Sequence, residues 1–344
     1  MRQVALSIQD FDAMLAALCG QYRIFAPVAF AGEGRCTDSD VVRYAEINSL
    51  AQIEFDRKSD YSPKEALLPI SEPMLHFTPQ GQWVDAAPDD GRGTLIFLRA
   101  CDIHAFERLD AVYLGNGPEA DPWYARRRNR TKFVLMECAQ SYENCFCVSM
   151  GCNRTDNYAM AVRRTDGQVL AQVRDADLLA TVPAGAADCQ FTPQFVTAND
   201  TTVDLPDLDR VAAAIAQGLF DHDFWKEYAQ RCVACGRCTV SCGDCSCFTT
   251  IDAPKDDDPA TVERRRVWAS CHIDRFTDMA GGHEFRKDYG SRMRYRVMHK
   301  IYDYPRRFGR PMCTGCGRCD DQCPEYISFS NCVNKLARLL KEEY

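Results

Sequence analysis

Residues 231–249 read RCVACGRCTVSCGDCSCFT, and residues 312–325 read MCTGCGRCDDQCPE. Each stretch sets four cysteines at one spacing, Cys-x2-Cys-x2-Cys-x3-Cys: Cys232, Cys235, Cys238 and Cys242, then Cys313, Cys316, Cys319 and Cys323. The spacing suits a [4Fe-4S] cube, which needs one thiolate on each iron, because a tight loop with cysteines two residues apart wraps three corners. Gly236 and Gly317 directly follow the second cysteine of each run, where the backbone must approach inorganic sulfur and adopt positive φ.

In ferredoxins with two such runs, the last cysteine of each run ligates the cluster of the other. One [4Fe-4S] cluster is therefore expected on Cys232, Cys235, Cys238 and Cys323, and a second on Cys313, Cys316, Cys319 and Cys242. Pro324 completes the ferredoxin signature, whereas Gly243 stands where the first run would carry proline. Structural zinc uses Cys-x2-Cys pairs far apart in sequence and fits three consecutive x2 spacings poorly, although a zinc-binding scaffold protein remains the alternative of another class. Disulfides would need an oxidising compartment.

The 344 residues suffice for two cores, and 46% hydrophobic with 26% charged residues describe an ordinary globular chain. The 20 cysteines are the outlier. The opening MRQVALSIQDFDAM lacks a basic leader followed by a long apolar core, and no apolar run reaches the length of a membrane span. A cytoplasmic location is expected, where cysteines serve metals. A net charge of −8 disfavours nucleic acid. Basic residues cluster at 126–128, 264–266 and 286–310, each read as a solvated face or a dock for an acidic partner.

Phe11, Met14, Leu15 and Leu18 recur at helical spacing behind Asp10, which predicts a helix over 10–19 capped by Asp10. Tyr22 to Phe30 reads as a strand, and GEGRCT after it as a plain turn rather than a dinucleotide fingerprint. Residues 60–93, with Pro63, Pro69, Pro73, Pro79 and Pro88, read as extended structure and loops. TLIFLR (94–99), a helix over 104–114 and KFVLME (132–137) give strand, helix, strand, hence a parallel pair. Asp166-Gly167 marks a hairpin. Helices follow over 207–219, 224–230, 291–302 and 331–340. In the 291–302 helix Met293, Val297 and Ile301 are expected inward and Arg292, Arg294, Arg296 and Lys300 outward. The fold class is α+β or α/β: an N-terminal α/β domain (1–222) with a partly parallel sheet, then a ferredoxin-like dicluster domain (223–344) with an insertion.

Cys101 and Cys138 lie just past the two buried strands, with Cys145 and Cys147 in the next loop. Ligands in open α/β sheets bind at the carboxyl ends of strands. These four cysteines read either as ligands of a third [4Fe-4S] cluster or as small buried hydrophobes. Cys245, Cys247 and Cys271 lack an evident fourth partner and are expected to pack. Cys19, Cys36, Cys152, Cys189 and Cys332 have no cluster-forming neighbour at ligand spacing. The chain holds no G-x-S-x-G, P-loop or H-E-x-x-H. A fully thiolate-ligated cube has no open iron, so the chain reads as an electron-transfer subunit without a catalytic centre, and flavin, nicotinamide and the terminal catalyst belong to other chains.

The blocks RACDIHAFERLDAVYLGNG, ENCFCVSMGCNRTDNY, RRRVWASCHIDRFTDMAGGHEFR and CTGCGRCDDQCPEYISFS resemble the A subunit of anaerobic sulfite reductase. The wider group includes the β subunit of sulfhydrogenases, similar in the RxCD, CFCxSMG and AGGHxFR blocks, while VYLGNG and NRTDNY lean towards the sulfite reductase. The resemblance implies a relay between a flavin subunit that oxidises NADH and a sirohaem subunit that reduces sulfite to sulfide; the alternative is a β-type subunit feeding a nickel-iron hydrogenase. It covers Cys101, Cys138, Cys145 and Cys147, which favours the third cluster. The sequence departs from the family at Gly243-Asp244, where Pro-Thr is usual, and at Cys152, where threonine is usual.

Overall fold

The computed structural model describes residues 1–34, 38–86, 90–255 and 258–344. Cys36, Pro88 and the end of the GEGRCT turn lie outside them.

An eight-stranded mixed sheet organises the first part of the chain. Its strands, taken by position across the sheet, are Ala187–Asp188, Arg2–Ser7, Gln168–Val173, Met160–Thr165, Thr131–Met136, Gly93–Leu98, Tyr22–Phe30 and Val41–Glu46. The central pairs are parallel, namely 22–30 with 93–98, 93–98 with 131–136, and 131–136 with 160–165. The outer pairs are antiparallel, including the 160–173 hairpin around Asp166-Gly167.

Near-continuous apolar runs form these central strands because both faces are covered. Leu95, Phe97, Val134 and Met136 face one core with Phe11, Met14 and Leu15 of helix Ile8–Cys19. Ile96, Leu98, Phe133 and Leu135 face the other, where Phe106 of helix Ala100–Tyr113 stacks on Phe133 at 5.4 Å. The first helix starts earlier than its spacing predicts, and its cap is Ser7 rather than Asp10. Ser7 Oγ accepts from Asp10 N at 3.1 Å, which leaves Asp10 inside the first turn.

A second sheet has the order Phe248–Lys255, Asp258–Trp268, Ser71–Phe77, Trp83–Asp85. The proline-rich stretch after residue 60 thus supplies two strands to a sheet completed by the insertion between the two cysteine runs. At its centre Arg266 and Glu72, 3% and 1% exposed, pair at 2.7 Å, and Glu72 also pairs with Arg127.

The remaining core is helical. Leu208–Ala216, Tyr289–Met298 and Phe329–Glu342 bury Val211, Met293, Val297, Val333 and Leu336 together with Phe146 and Cys152 from the N-terminal part. Residues His299–Asp303 continue Tyr289–Met298 as a π-turn, which adds a residue to the turn and re-aims the side chains after it.

Removing one partner of a buried ion pair strands the other charge. Glu72→Ala is therefore expected to lower stability by ~3–5 kcal/mol, measured by denaturant unfolding under anaerobic conditions, with much of the loss recovered when Arg266 is replaced by Met in the same chain.

Candidate iron–sulfur sites

The two cysteine runs fold alike. Each loop turns through two left-handed residues, Ala234 (φ 54°) and Gly236 (φ 72°) in the first, Gly315 (φ 71°) and Gly317 (φ 73°) in the second. A short helix then follows, Arg237–Val240 or Arg318–Asp321. The positive φ read into Gly236 and Gly317 is present. Alanine replaces glycine at the first of these turn positions in one loop only, and packing explains why. A Cβ on Gly315 would fall 2.6 Å from the backbone N of Cys147, so the second run lies directly on the 144–147 loop. Phe146 N donates to Gly315 O across this contact at 2.8 Å.

Cys232, Cys235, Cys238 and Cys323 line one cavity, together with Tyr228, His272 and Arg296. This is the crossed set expected from the spacing, with the fourth thiol drawn from the other run. Ala234 N points at Cys232 Sγ (3.5 Å), and Ile327 N at Cys323 Sγ (3.3 Å). Among the described residues, Arg296 Nε and His272 Nε2 are buried without a hydrogen-bond partner beside this cavity. Unsatisfied buried polar atoms are rare, and a cationic nitrogen beside four thiols fits an anionic, sulfur-rich occupant.

Cys242 acts electrostatically on Cys313, Cys316 and Cys319, which puts it in the neighbourhood of the second run, and its ligand atom lies within 4.8 Å of those of Asp244 and Cys245. Gly315 N points at Cys313 Sγ (3.5 Å), repeating the amide contact of the first loop. Lys300 Nζ donates to Cys242 Sγ at 3.3 Å and pairs with Asp244, whose Oδ1 accepts from Cys242 Sγ at 2.5 Å. Asp244, where the resemblance leads to an expected threonine, is thus a buried partner for Lys300. Gly243 before it is compact because Ala105 of the 100–113 helix would meet its Cβ at 3.0 Å.

The strand-end cysteines converge as well. Cys101 feels Cys147 and Cys316, Cys138 feels Cys145, and Cys147 feels Cys145 and Cys138. Burial pushes the Cys147 thiol up to about 12, so in the bare protein it keeps its proton. A metal would displace that proton on binding. Lys58 Nζ lies 3.7 Å from Cys145 Sγ and 3.3 Å from Cys316 O, and it pairs with Asp321 at 2.6 Å. The third group of thiols therefore adjoins the second. Arg99 sits beside Cys138, 4.6 Å from the Tyr142 ring, and opens with Cys138 and Tyr142 onto a surface cavity.

Cys152 lies next to the third group, its N donating to Cys147 O (2.9 Å), while its thiol accepts from Arg108 Nη2 (3.4 Å) and donates to Met150 O (3.3 Å). Cys332 is buried in the helical core.

The cations are what the sequence reading placed wrongly. Arg292, Arg296 and Lys300 do not face solvent: they are 3%, 5% and 2% exposed. They form an i, i+4, i+8 stripe directly beside Met293, Val297 and Ile301, so the buried face of this helix is wider than an apolar count shows. Of the four residues expected outward, only Arg294 is partly exposed. Arg296 lines the cavity of the first group, where its Nη2 donates to Cys238 O at 3.4 Å, and the field of Cys319 and Cys242 of the second group also reaches it. Arg318, inside the second run, is paired in burial with Asp102 (2.5 and 3.0 Å).

Two measurements check this arrangement. Cys145→Ser with Cys147→Ser should lower iron by about four atoms per chain, one cube; unchanged iron means these thiols only pack. Arg296→Met should lower the midpoint potential of a ferredoxin-type centre by about 60 mV or more, since ~1.4 kcal/mol of lost electrostatic stabilisation corresponds to that shift for one electron. An EPR-monitored redox titration reads it.

A family model for a 4Fe-4S dicluster domain matches residues 231–327, which span both runs and the insertion. Over 355 aligned positions, 98% of each chain, the protein is 30% identical to the β subunit of sulfhydrogenase 2 from Pyrococcus furiosus. Thiol groups gathered from both ends of the chain and a match that runs its whole length agree, and the protein belongs to the family of this sulfhydrogenase β subunit, as an iron–sulfur electron-transfer subunit.

Proposed function

We propose that this chain relays single electrons within a multi-subunit oxidoreductase. Its ferredoxin-type clusters would be held by Cys232, Cys235, Cys238 and Cys323 and by Cys313, Cys316, Cys319 and Cys242, and a third by Cys101, Cys138, Cys145 and Cys147. A cube on four thiolates supplies one-electron exchange and no open iron for substrate. The chain's own residues fix the positions of the three groups and the field around them. The Gly315 contact joins the second group to the third, and Arg296, beside the first group, also feels the field of the second. Catalysis, flavin and nicotinamide then belong to partner subunits.

The whole-length relative makes a sulfhydrogenase-type assembly the first reading of the terminal partner. This reverses the preference drawn from the sequence blocks, which put sulfite reductase first. Sulfite reduction stays as the second reading because of VYLGNG and NRTDNY. Both segments adjoin helix Ala100–Tyr113, where Asn157 Nδ2 donates to Glu107 Oε1 at 3.0 Å. Among the described residues no helix is long and apolar enough to cross a membrane.

The isolated chain, purified anaerobically, is expected to be brown and to carry about eight iron atoms, or about twelve with the third group, four per cube. Colourless protein with stoichiometric zinc contradicts the relay. A tagged chain drawn from its host with its partners should support hydrogen-dependent reduction of a viologen dye. Sulfite-dependent oxidation of reduced viologen without hydrogen activity would select the second reading.

A further inference from the structure

The two cysteine loops fold alike but are not covered alike. In the second, Thr314, between Cys313 and Cys316, is 2% exposed, and Arg318 is buried on Asp102. The 144–147 loop lies on this run, with Phe146 N donating to Gly315 O. At the matching positions of the first loop, Val233 is 55% exposed and Arg237 faces solvent. The first loop therefore keeps open the side that the second buries within the chain. Among the described cysteines, Cys235 alone is exposed.

The surface around that opening is apolar at its centre. Val233 and Pro324 line the cavity of the first group, and Ile273 Cγ2 lies 3.0 Å from where a Cβ on Gly236 would stand. Tyr326, two residues past Pro324, is 86% exposed. Its backbone is left-handed (φ 51°), which is costly for a bulky residue. Arg231 holds the segment there, with Nη2 donating to Glu325 O at 3.1 Å and to Tyr326 O at 3.2 Å. A ring displayed to water from a strained position, beside exposed apolar side chains, is the mark of a recognition surface. Arg237 and Arg275 add exposed charge beside it, and among the described residues neither forms an ion pair. Glu325, on the same rim, supplies an opposing charge.

We propose that this face, centred on Val233, Cys235 and Tyr326, is where a redox partner subunit docks on the first cluster group. The partner presents an apolar surface with carboxylates opposite Arg237 and Arg275, and behind it a one-electron centre. The inference rests on the relay reading and names the point at which an electron crosses between chains. One electron passes per event: the donor centre is oxidised by one electron, the acceptor centre across the face is reduced by one, and no bond forms or breaks. The partner covers the apolar centre from water, while the arginines steer its approach.

The parent chain, purified anaerobically alone and in its complex, is compared by hydrogen–deuterium exchange on peptides spanning 232–237 and 323–327. Exchange slowed by about tenfold or more at both peptides in the complex is expected. Equal exchange in the two states overturns the proposal. So does slowing already present in an isolated chain that runs as a dimer on gel filtration, which gives the face to a second copy. A second measurement uses variants that keep every proposed ligand. Tyr326→Gly, which suits the left-handed backbone, and Arg237→Glu should each retain the parent's iron. Each should raise the dissociation constant for the partner subunit, read by sedimentation, by about tenfold, the Arg237→Glu effect shrinking as salt is raised. Parent iron with parent affinity in both variants overturns the proposal. A parent without iron defeats the relay itself, whereas an iron-loaded parent with unchanged exchange defeats only this face.

Discussion

The structure depends on one electrostatic constraint: groups of sulfur that become anionic when they hold metal are kept away from water, so cations must be buried with them. Arg296 and Lys300 meet that requirement from successive turns of one helix, Arg318 from within the second run, and the half-buried Lys58 from a distant part of the chain. An isolated buried ion is unfavourable by several kcal/mol even after relaxation. The cations and the thiols therefore justify each other's burial, and neither set makes physical sense alone. Asp102 and Asp244 trim the balance by pairing with Arg318 and Lys300.

This constraint also ties the halves of the chain together. The second run cannot be packed without the 144–147 loop, because Gly315 and Gly317 leave no room for a side chain against it. The insertion between the runs completes the sheet begun by residues 71–85 and carries Arg266 to Glu72 and Asp121. The parallel strands ending at Leu98 and Met136 deliver Cys101 and Cys138 to the same side as that loop. Neighbouring thiol groups at close range are what stepwise electron transfer through a protein asks for.

Much of this was legible in the sequence. Cys-x2-Cys-x2-Cys-x3-Cys written twice predicts the crossed grouping, because the spacing is dictated by the shape of the cargo. Short apolar runs with a helix between them predict the parallel pair, and Asp166-Gly167 the hairpin. The buried cations were not legible, because a stripe of arginine and lysine is ordinarily a solvated face and nothing local says that thiols lie opposite Arg296. The helix cap was misread because Asp10 and Ser7 both suit a first turn, and only the backbone shows that Ser7 is the one outside it. The meeting of Cys247 with Cys271 depends on strand pairing across the insertion, which has no short-range signature. The preference for a sulfite-reducing partner rested on two short segments and yields to a likeness that covers the whole chain.

The central claim is that thiols from the two runs cross over to share their cargo under buried cations. An anomalous difference map at the iron edge, from crystals of the anaerobically purified chain, tests it most directly. The account predicts iron density between Cys323 and the Cys232, Cys235, Cys238 loop, and between Cys242 and the Cys313, Cys316, Cys319 loop, with Arg296 alongside. Iron held by each run alone, or no iron at either position, would contradict it.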